Sequence, residues 1–339
     1  MTQFVDWELA ASTAATLGGS GPKVTYAVAA ETVSELRRLT DDAAAHVADY
    51  TGLHPAVDLP PVRVVDRADW AAVNIEGLKN LFGSLAPRLT DQQPGFLTGV
   101  IGAKVTGAQA GTVLAYLSTK VLGQYEVFSG APGELLLIAP NITEVQQKLD
   151  VDPRDFRLWV CLHEVTHRTQ FTAVPWLREH FLAEIHAYAD ASKLDGEAFT
   201  ERARRAFQAL SDEKASLLDV MQSPAQKVVV ARLTALMTLL EGHAEFVMDG
   251  VGPQVVPSVE NIRAKFTQRR AGGNPMEKFI RRLLGVDVKM RQYEEGRQFV
   301  AAVVGQVGMA GFNKVFTSSE TLPRVEELAD PAAWVARVS

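Results

Sequence analysis

Apolar side chains recur three and four positions apart along most of the chain, the spacing that lines one face of a helix. That pattern predicts helices over 27–51, 69–82 and 96–122. The run Glu134 to Pro140 is different: it is short, continuously apolar and closed by proline, which predicts a strand. Val62 to Val65 predicts another. Asp152-Pro153 supplies a capping side chain followed by proline at the first helical position, opening a helix to about 171. Further helices are expected over 176–191, 196–221, 224–249, 257–270, 275–284 and 288–303. Helices, a strand and then helices again predict a mainly α fold with a small β-sheet, and not a βαβ repeat. A division near residue 150 separates an N-terminal helical region (1–150, with the strand near 134–140) from a C-terminal helical region (151–339). One continuous domain fits the same pattern.

Composition narrows the picture. The 339 residues suffice for one large domain or two, and 47% hydrophobic against 22% charged residues excludes a disordered, collagen-like or coiled-coil chain. The net charge of −6 is too mild for general nucleic-acid binding. A local excess of +5 lies between Ser258 and Arg297, against −11 elsewhere; it reads as a solvated face answering the acidic remainder, with aromatic residues too sparse for a nucleic-acid surface. The single cysteine, Cys161, forbids an internal disulfide and a cysteine-cluster metal site, and it reads as a small core residue. With no secretion signal at the N-terminus, a reducing cytoplasm is the expected setting. The apolar stretch 96–122 contains Lys104, Gln109 and Lys120 among four glycines, so it is expected to be a buried helix and not a membrane span.

The chemistry concentrates in His163-Glu164-Val165-Thr166-His167. On a helix the two histidines lie about 40° apart and one turn apart, so both imidazoles reach a single ion. Glu164 lies about 100° round from His163, on a flank from which it can act as a general base on a water. This is the HExxH zinc signature. Phe156, Val160, His163, His167 and Gln170 share one stripe, so the histidines extend a buried apolar face, where an unpartnered imidazole is unfavourable.

A hydrolytic zinc centre needs a third protein ligand and an open fourth position. Glu179, His180, Glu184, His186, Glu241 and His243 are candidates downstream. Glu241 and His243 lie about 160° apart on their helix, so they do not share one metal. Glu241 is the better ligand, because Glu245, one turn on, is then free to accept the far N–H of a bound histidine. His243 and Glu184 remain in reserve. Tyr293, with Arg263 behind it, is the candidate donor to a developing oxyanion. The glycines at 99–111 carry neither a phosphate-binding loop nor a dinucleotide fingerprint.

The segments from Cys161 to Phe171, Pro175 to Arg178, Leu240 to Asp249, Leu284 to Lys289 and Gln292-Tyr293 resemble a group of actinobacterial zincin-like proteins. Val121 to Tyr125 and Leu322-Pro323 match as well. That group is described as zinc-dependent metalloproteases or hydrolases, some labelled as associated with coenzyme F420 biosynthesis. The resemblance implies a zincin-like fold with Zn2+ on His163, His167 and Glu241, and it leaves the substrate open. The chain departs from better-known zincins: Phe171, Val174 and Trp176 replace the glycine and third histidine of one pattern, and His186 stands where another has its glutamate.

The sequence therefore points to a zinc-dependent hydrolase, most simply a metallopeptidase acting on a peptide or protein, with Glu164 as general base. The alternative is a non-catalytic binding or scaffold protein in which zinc clamps two helices. No membrane or nucleic-acid partner is expected, and the oligomeric state is open.

Overall fold

The computed structural model describes residues 5–89, 96–191, 223–271 and 286–338; side chains at 86–89, 96–103, 269–271 and 286–293 are outside the described set. The expected helices over 196–221 and 275–284 lie outside the described residues.

The chain opens with α1 (Trp7–Gly18) and α2 (Tyr26–Thr51). Strand β1 (Arg63–Val65) precedes α3 (Arg67–Leu89) and α4 (Phe96–Ser118). Two strands follow, β2 (Gly123–Glu126) and β3 (Glu134–Ile138), and then α5 (Ala139–Leu149). The second half is helical: α6 (Pro153–Ala173), α7 (Leu177–Ala191), α8 (Pro224–Gly250), α9 (Val259–Ala271) and α10 (Val286–Phe312). The short helices α11 (Val325–Leu328) and α12 (Pro331–Val338) end the chain.

Most expected helices are found, and the boundaries follow local chemistry. Thr25 caps α2 and Asp152 caps α6; Ser223 forms a capping box with Gln226 at the start of α8, where Pro224 takes the first position. Two expectations need correction. The helix over 96–122 stops at Ser118, because the chain turns there and its last residues feed the edge strand β2, which the periodicity hid. The helix over 288–303 is longer, and its helical path is broken at Gly308, whose φ of 71° interrupts the ladder.

The sheet has order β1-β3-β2. β1 runs parallel to β3 with Val64 opposite Leu137; β2 runs antiparallel to it with Gly123 opposite Leu137. β3 is buried on both faces, which explains its unbroken apolar run. Leu135 and Leu137 join the core built with α2, α5, α6 and α8, while Leu136 and Ile138 join α1, α3 and α4 on the opposite side. The sheet is thus sandwiched between two helical layers, and its α6 side carries the candidate chemistry. One core draws on residues from both sides of position 150, including Leu36 and Val47 as well as Phe156 and Val247.

Small residues set the closest helix contacts. In α4, Gly107 and Gly111 pack against the backbone of α1, where an added Cβ would lie 2.4 and 2.5 Å from the Asp6 and Ala10 carbonyl oxygens. One face of α4 thus packs as closely as expected of the 96–122 segment, whereas Val105 and Val113 on the other are exposed. Among the described residues, Glu294–Phe316 is the one helical stretch long and apolar enough to cross a membrane; it places Phe299, Val300, Val303 and Phe312 in a core with α7 and α8. Cys161 is fully buried, and burial pushes its thiol up to about 12, so it is a core residue and not a nucleophile. Of the basic 258–297 segment, Arg263 pairs with Asp249 and Arg297 with Glu294.

The tightest crossing joins α8 to α10. A Cβ on Gly242 would stand 2.1 Å from the Gly296 carbonyl carbon, so the two backbones meet with nothing between them. Gly242→Ala is expected to force the helices apart and cost about 1–3 kcal/mol, read by urea unfolding. A variant as stable as the parent would show that this crossing is not in backbone contact.

Candidate metal centre

Helix α6 presents its two histidines as the sequence spacing demands. The rings of His163 and His167 are 4.7 Å apart at right angles, and their Nε2 atoms are 3.2 Å apart. Helix α8 brings Glu241 to the same point: its Oε2 is 3.6 Å from His163 Nε2 and 3.4 Å from His167 Nε2. Among the described residues, these three side chains form a group able to hold a metal ion. The distances fit such an ion. Bonds of about 2.0–2.1 Å in a tetrahedral set place neighbouring donors roughly 3.3–3.4 Å apart. Two imidazoles and one carboxylate are also the donor set of a catalytic zinc site that keeps one position open.

Without an ion, the three groups share protons. Burial opposes charge on His167, but Glu241 outweighs it and lifts the imidazole to about 9. Burial likewise raises Glu241, and the two histidines overcome it, holding the carboxyl well below its ordinary value. Each partner's charge supports the other's.

Gln170, one turn beyond His167, orients this pair. Its amide nitrogen donates to the Leu240 carbonyl at 2.9 Å and meets His243 Nδ1 at 3.0 Å. Its oxygen therefore faces His167 Nδ1, at 3.0 Å, and accepts a hydrogen bond from it, so that Nε2 is the ring nitrogen directed at the cluster. His243 is fully buried beside the Phe312 and Phe316 rings; burial first, and then the charge on His167, push its pKa down to about 3, so it stays neutral. Sequence reasoning counted Gln170 only as a member of the stripe. Its position three residues after His167 was the available signal.

Glu164 flanks the cluster on the side of β2. It is 7% exposed, and burial holds its pKa above the ordinary carboxylate value; His163 and His167 lower it in part, while Glu241 raises it. The strand lies directly against it: a Cβ on Gly123 would be 2.5 Å from Glu164 Cγ. Only glycine leaves room for this carboxyl group. Apolar periodicity carries no sign of that contact, because β2 itself is hidden in it.

Other candidates fall elsewhere. Glu245 does not serve the histidines: it faces Arg263 at 3.6 Å, His167 Nδ1 is taken by Gln170, and His163 Nδ1 is buried with no hydrogen-bond partner. The cause is rotation, since Glu245 sits one turn beyond Glu241, level with α9. Glu184 is held by Arg232 on α8 at 2.8–3.0 Å and does not reach the cluster. His243 stands behind His167 and not among the ligand atoms. Arg263 is occupied by Glu245 and Asp249, so it is no free oxyanion donor. His186 meets Ser84 at 3.0 Å and His180 meets the Trp176 ring edge-on. Tyr293 is carried by α10, three residues before Gly296, but its side chain lies outside the described residues.

A family model for zincin-like metallopeptidases matches residues 5–335. No curated protein matches the chain. A solved structure, described as that of a candidate hydrolase with a novel fold from Chloroflexus aurantiacus, is 30% identical with a TM-score of 0.70 and is covered over 98% of both chains. With that family model spanning nearly its whole length, the chain belongs to the zincin-like metallopeptidase family.

Proposed function

We propose that the protein is a zinc-dependent peptidase whose ion is held by His163, His167 and Glu241 and whose general base is Glu164. The observation that carries this is the convergence of three donor atoms within 3.2–3.6 Å, beside a buried carboxyl group that no described residue pairs with. Zinc in this position supplies Lewis acidity, which acidifies water and polarises a carbonyl.

The remaining chemistry belongs to the chain. Burial raises the proton affinity of Glu164, which suits it to take a proton from the attacking water. The same carboxyl group then delivers that proton to the departing amine, restoring the carboxylate. Gln170 keeps His167 in one tautomer throughout. β2 is an edge strand of the sheet and lies against Glu164, so an extended peptide pairing with its open edge would bring a peptide bond to the base. A purely structural zinc clamp would leave the buried, unpartnered Glu164 without a purpose.

His163→Ala and Glu241→Ala should each remove stoichiometric zinc, measured by metal analysis of purified protein. Glu164→Gln should keep the zinc and lower hydrolysis of a peptide library by about 10²–10⁴-fold; full activity in that variant would sink its assignment as base. Gln170→Ala should weaken zinc affinity by about 10–100-fold in a chelator competition, and unchanged affinity would remove it from the orienting role. Zinc affinity should also fall as pH falls. In the metal-free protein His167 holds its proton up to about pH 9, so below that value the metal must displace a proton. Affinity should weaken by about tenfold per pH unit for each proton displaced, and a flat profile from pH 6 to 9 would contradict it.

A further inference from the structure

Among the described residues, β2 has one strand neighbour, β3. The ladder bonds between them lie in the plane of the sheet, so they set the register of β2 and leave its distance from α6 to side-chain contacts. On the α6 face, Tyr125 stacks on Phe171 with ring centroids 5.8 Å apart. Two residues earlier, Gly123 has no side chain to offer. The Glu164 side chain occupies the space a Cβ would take there, with Cγ, Cδ and Oε1 2.5–2.9 Å from that position. The strand must therefore be held against the carboxyl group from its other face.

Side chains alternate along a strand, so Gln124 and Glu126 face α3. Trp70 Nε1 donates to Gln124 Oε1 at 2.7 Å, and Asn74 Nδ2 donates to the same oxygen at 3.2 Å. Gln124 Nε2 returns a hydrogen bond to Asn74 Oδ1 at 2.9 Å, so the two amides are paired in both directions. Asn74 Nδ2 also donates to the Trp70 carbonyl, one turn back, at 2.9 Å. An indole nitrogen can only donate, which fixes the orientation of both amides. Further along α3, Gly77 allows a second close approach: a Cβ there would be 2.7 Å from Glu126 Oε1. That buried carboxylate accepts the amides of Phe128 and Ser129 at 2.7 and 2.8 Å, which fixes the chain as it leaves β2. Trp70, Asn74 and Gly77 are four and three residues apart, one stripe of α3 laid along the strand.

We propose that Asn74 and Trp70 are positioning residues for the reaction: acting through Gln124, they hold β2 at the distance from α6 where Gly123 packs on Glu164 and the open edge meets the substrate. The inference rests on the peptidase assignment above. Hydrogen bonds suit this task because they are directional, whereas apolar contacts are not. The three candidate ligands belong to α6 and α8, so the ion does not depend on the clamp from α3. Without the clamp, the strand is free to move off the carboxyl group within the limits of its ladder. A displacement of about 1 Å at a reacting group costs about 10²-fold in rate.

The test measures zinc content, Tm, kcat and KM of the full-length protein, with the library peptide that the parent cleaves fastest. Asn74→Ala and Gln124→Leu should each keep the parent's zinc stoichiometry and lower kcat by about 10–100-fold, more than any change in KM. Combining them should cost no more than the larger single effect, because the paired amides act as one unit. Exchanging the pair, with Asn74→Gln and Gln124→Asn in one protein, should restore most of the loss. Hydrogen–deuterium exchange of the β2 amides should quicken about tenfold in Asn74→Ala. Arg337→Ala, which breaks the contacts between α12 and Glu327, is the control for stability: it should lower the Tm and leave kcat unchanged. Unchanged kcat in both single variants overturns the inference. So does a loss that Arg337→Ala shows equally, one that exchanging the pair does not restore, or one that follows a loss of zinc. A parent that holds zinc and cleaves no library peptide fails the peptidase assignment instead, and the exchange rates then decide alone whether α3 holds β2.

Discussion

The amide of Gln170 is the joint on which the centre depends. It spans two helices that share no sequence neighbourhood, accepting a hydrogen bond from His167 on α6 while donating one to the Leu240 carbonyl on α8. Leu240 immediately precedes Glu241, so the same side chain that orients one ligand also fixes the helical turn that carries another. A centre made of three side chains tolerates displacement of only a few tenths of an ångström. Hydrophobic packing alone does not give that precision, because apolar contacts are not directional. A bidirectional amide does.

Behind that joint, α8 is pressed from its other side by α10 through Gly242 and Gly296. The glycine beside Glu241 is thus explained by a crossing and not by local helix preference, which it opposes. His243, on the opposite flank from Glu241, closes the arrangement by filling the space between Gln170 and two phenylalanines. Residues 241 to 243 each serve a different neighbour: the ligand cluster, α10 and the orienting amide.

What could be read from the sequence was what is local to one helix. His163 and His167 are four residues apart, and the periodicity around them places them on one stripe; both facts survive in the fold. Glu241 was preferred to His243 because Glu245 could then accept from a bound histidine; Glu241 does meet both histidines, but that reason fails. Relations between elements were not legible. Glu245 was assigned to a histidine because its helical position allowed it, but α9 brings Arg263 to that face. β2 was hidden because four residues with mixed burial carry no periodic signal and follow directly on an apolar helix. With β2 unseen, neither Gly123 against Glu164 nor Gln124 against Asn74 was within reach.

The central strand has a consequence for how the chain is made. Leu135 and Leu137 share a core with α2, α5, α6 and α8, of which α6 begins only at Pro153, while Leu136 and Ile138 are covered by helices already synthesised. A nascent chain that has emerged only as far as residue 150 therefore carries a sheet whose α6 side is covered only in part, by α2 and α5. The cover is completed by the helix that also bears the histidines. Structural completion and assembly of the metal centre are then one event.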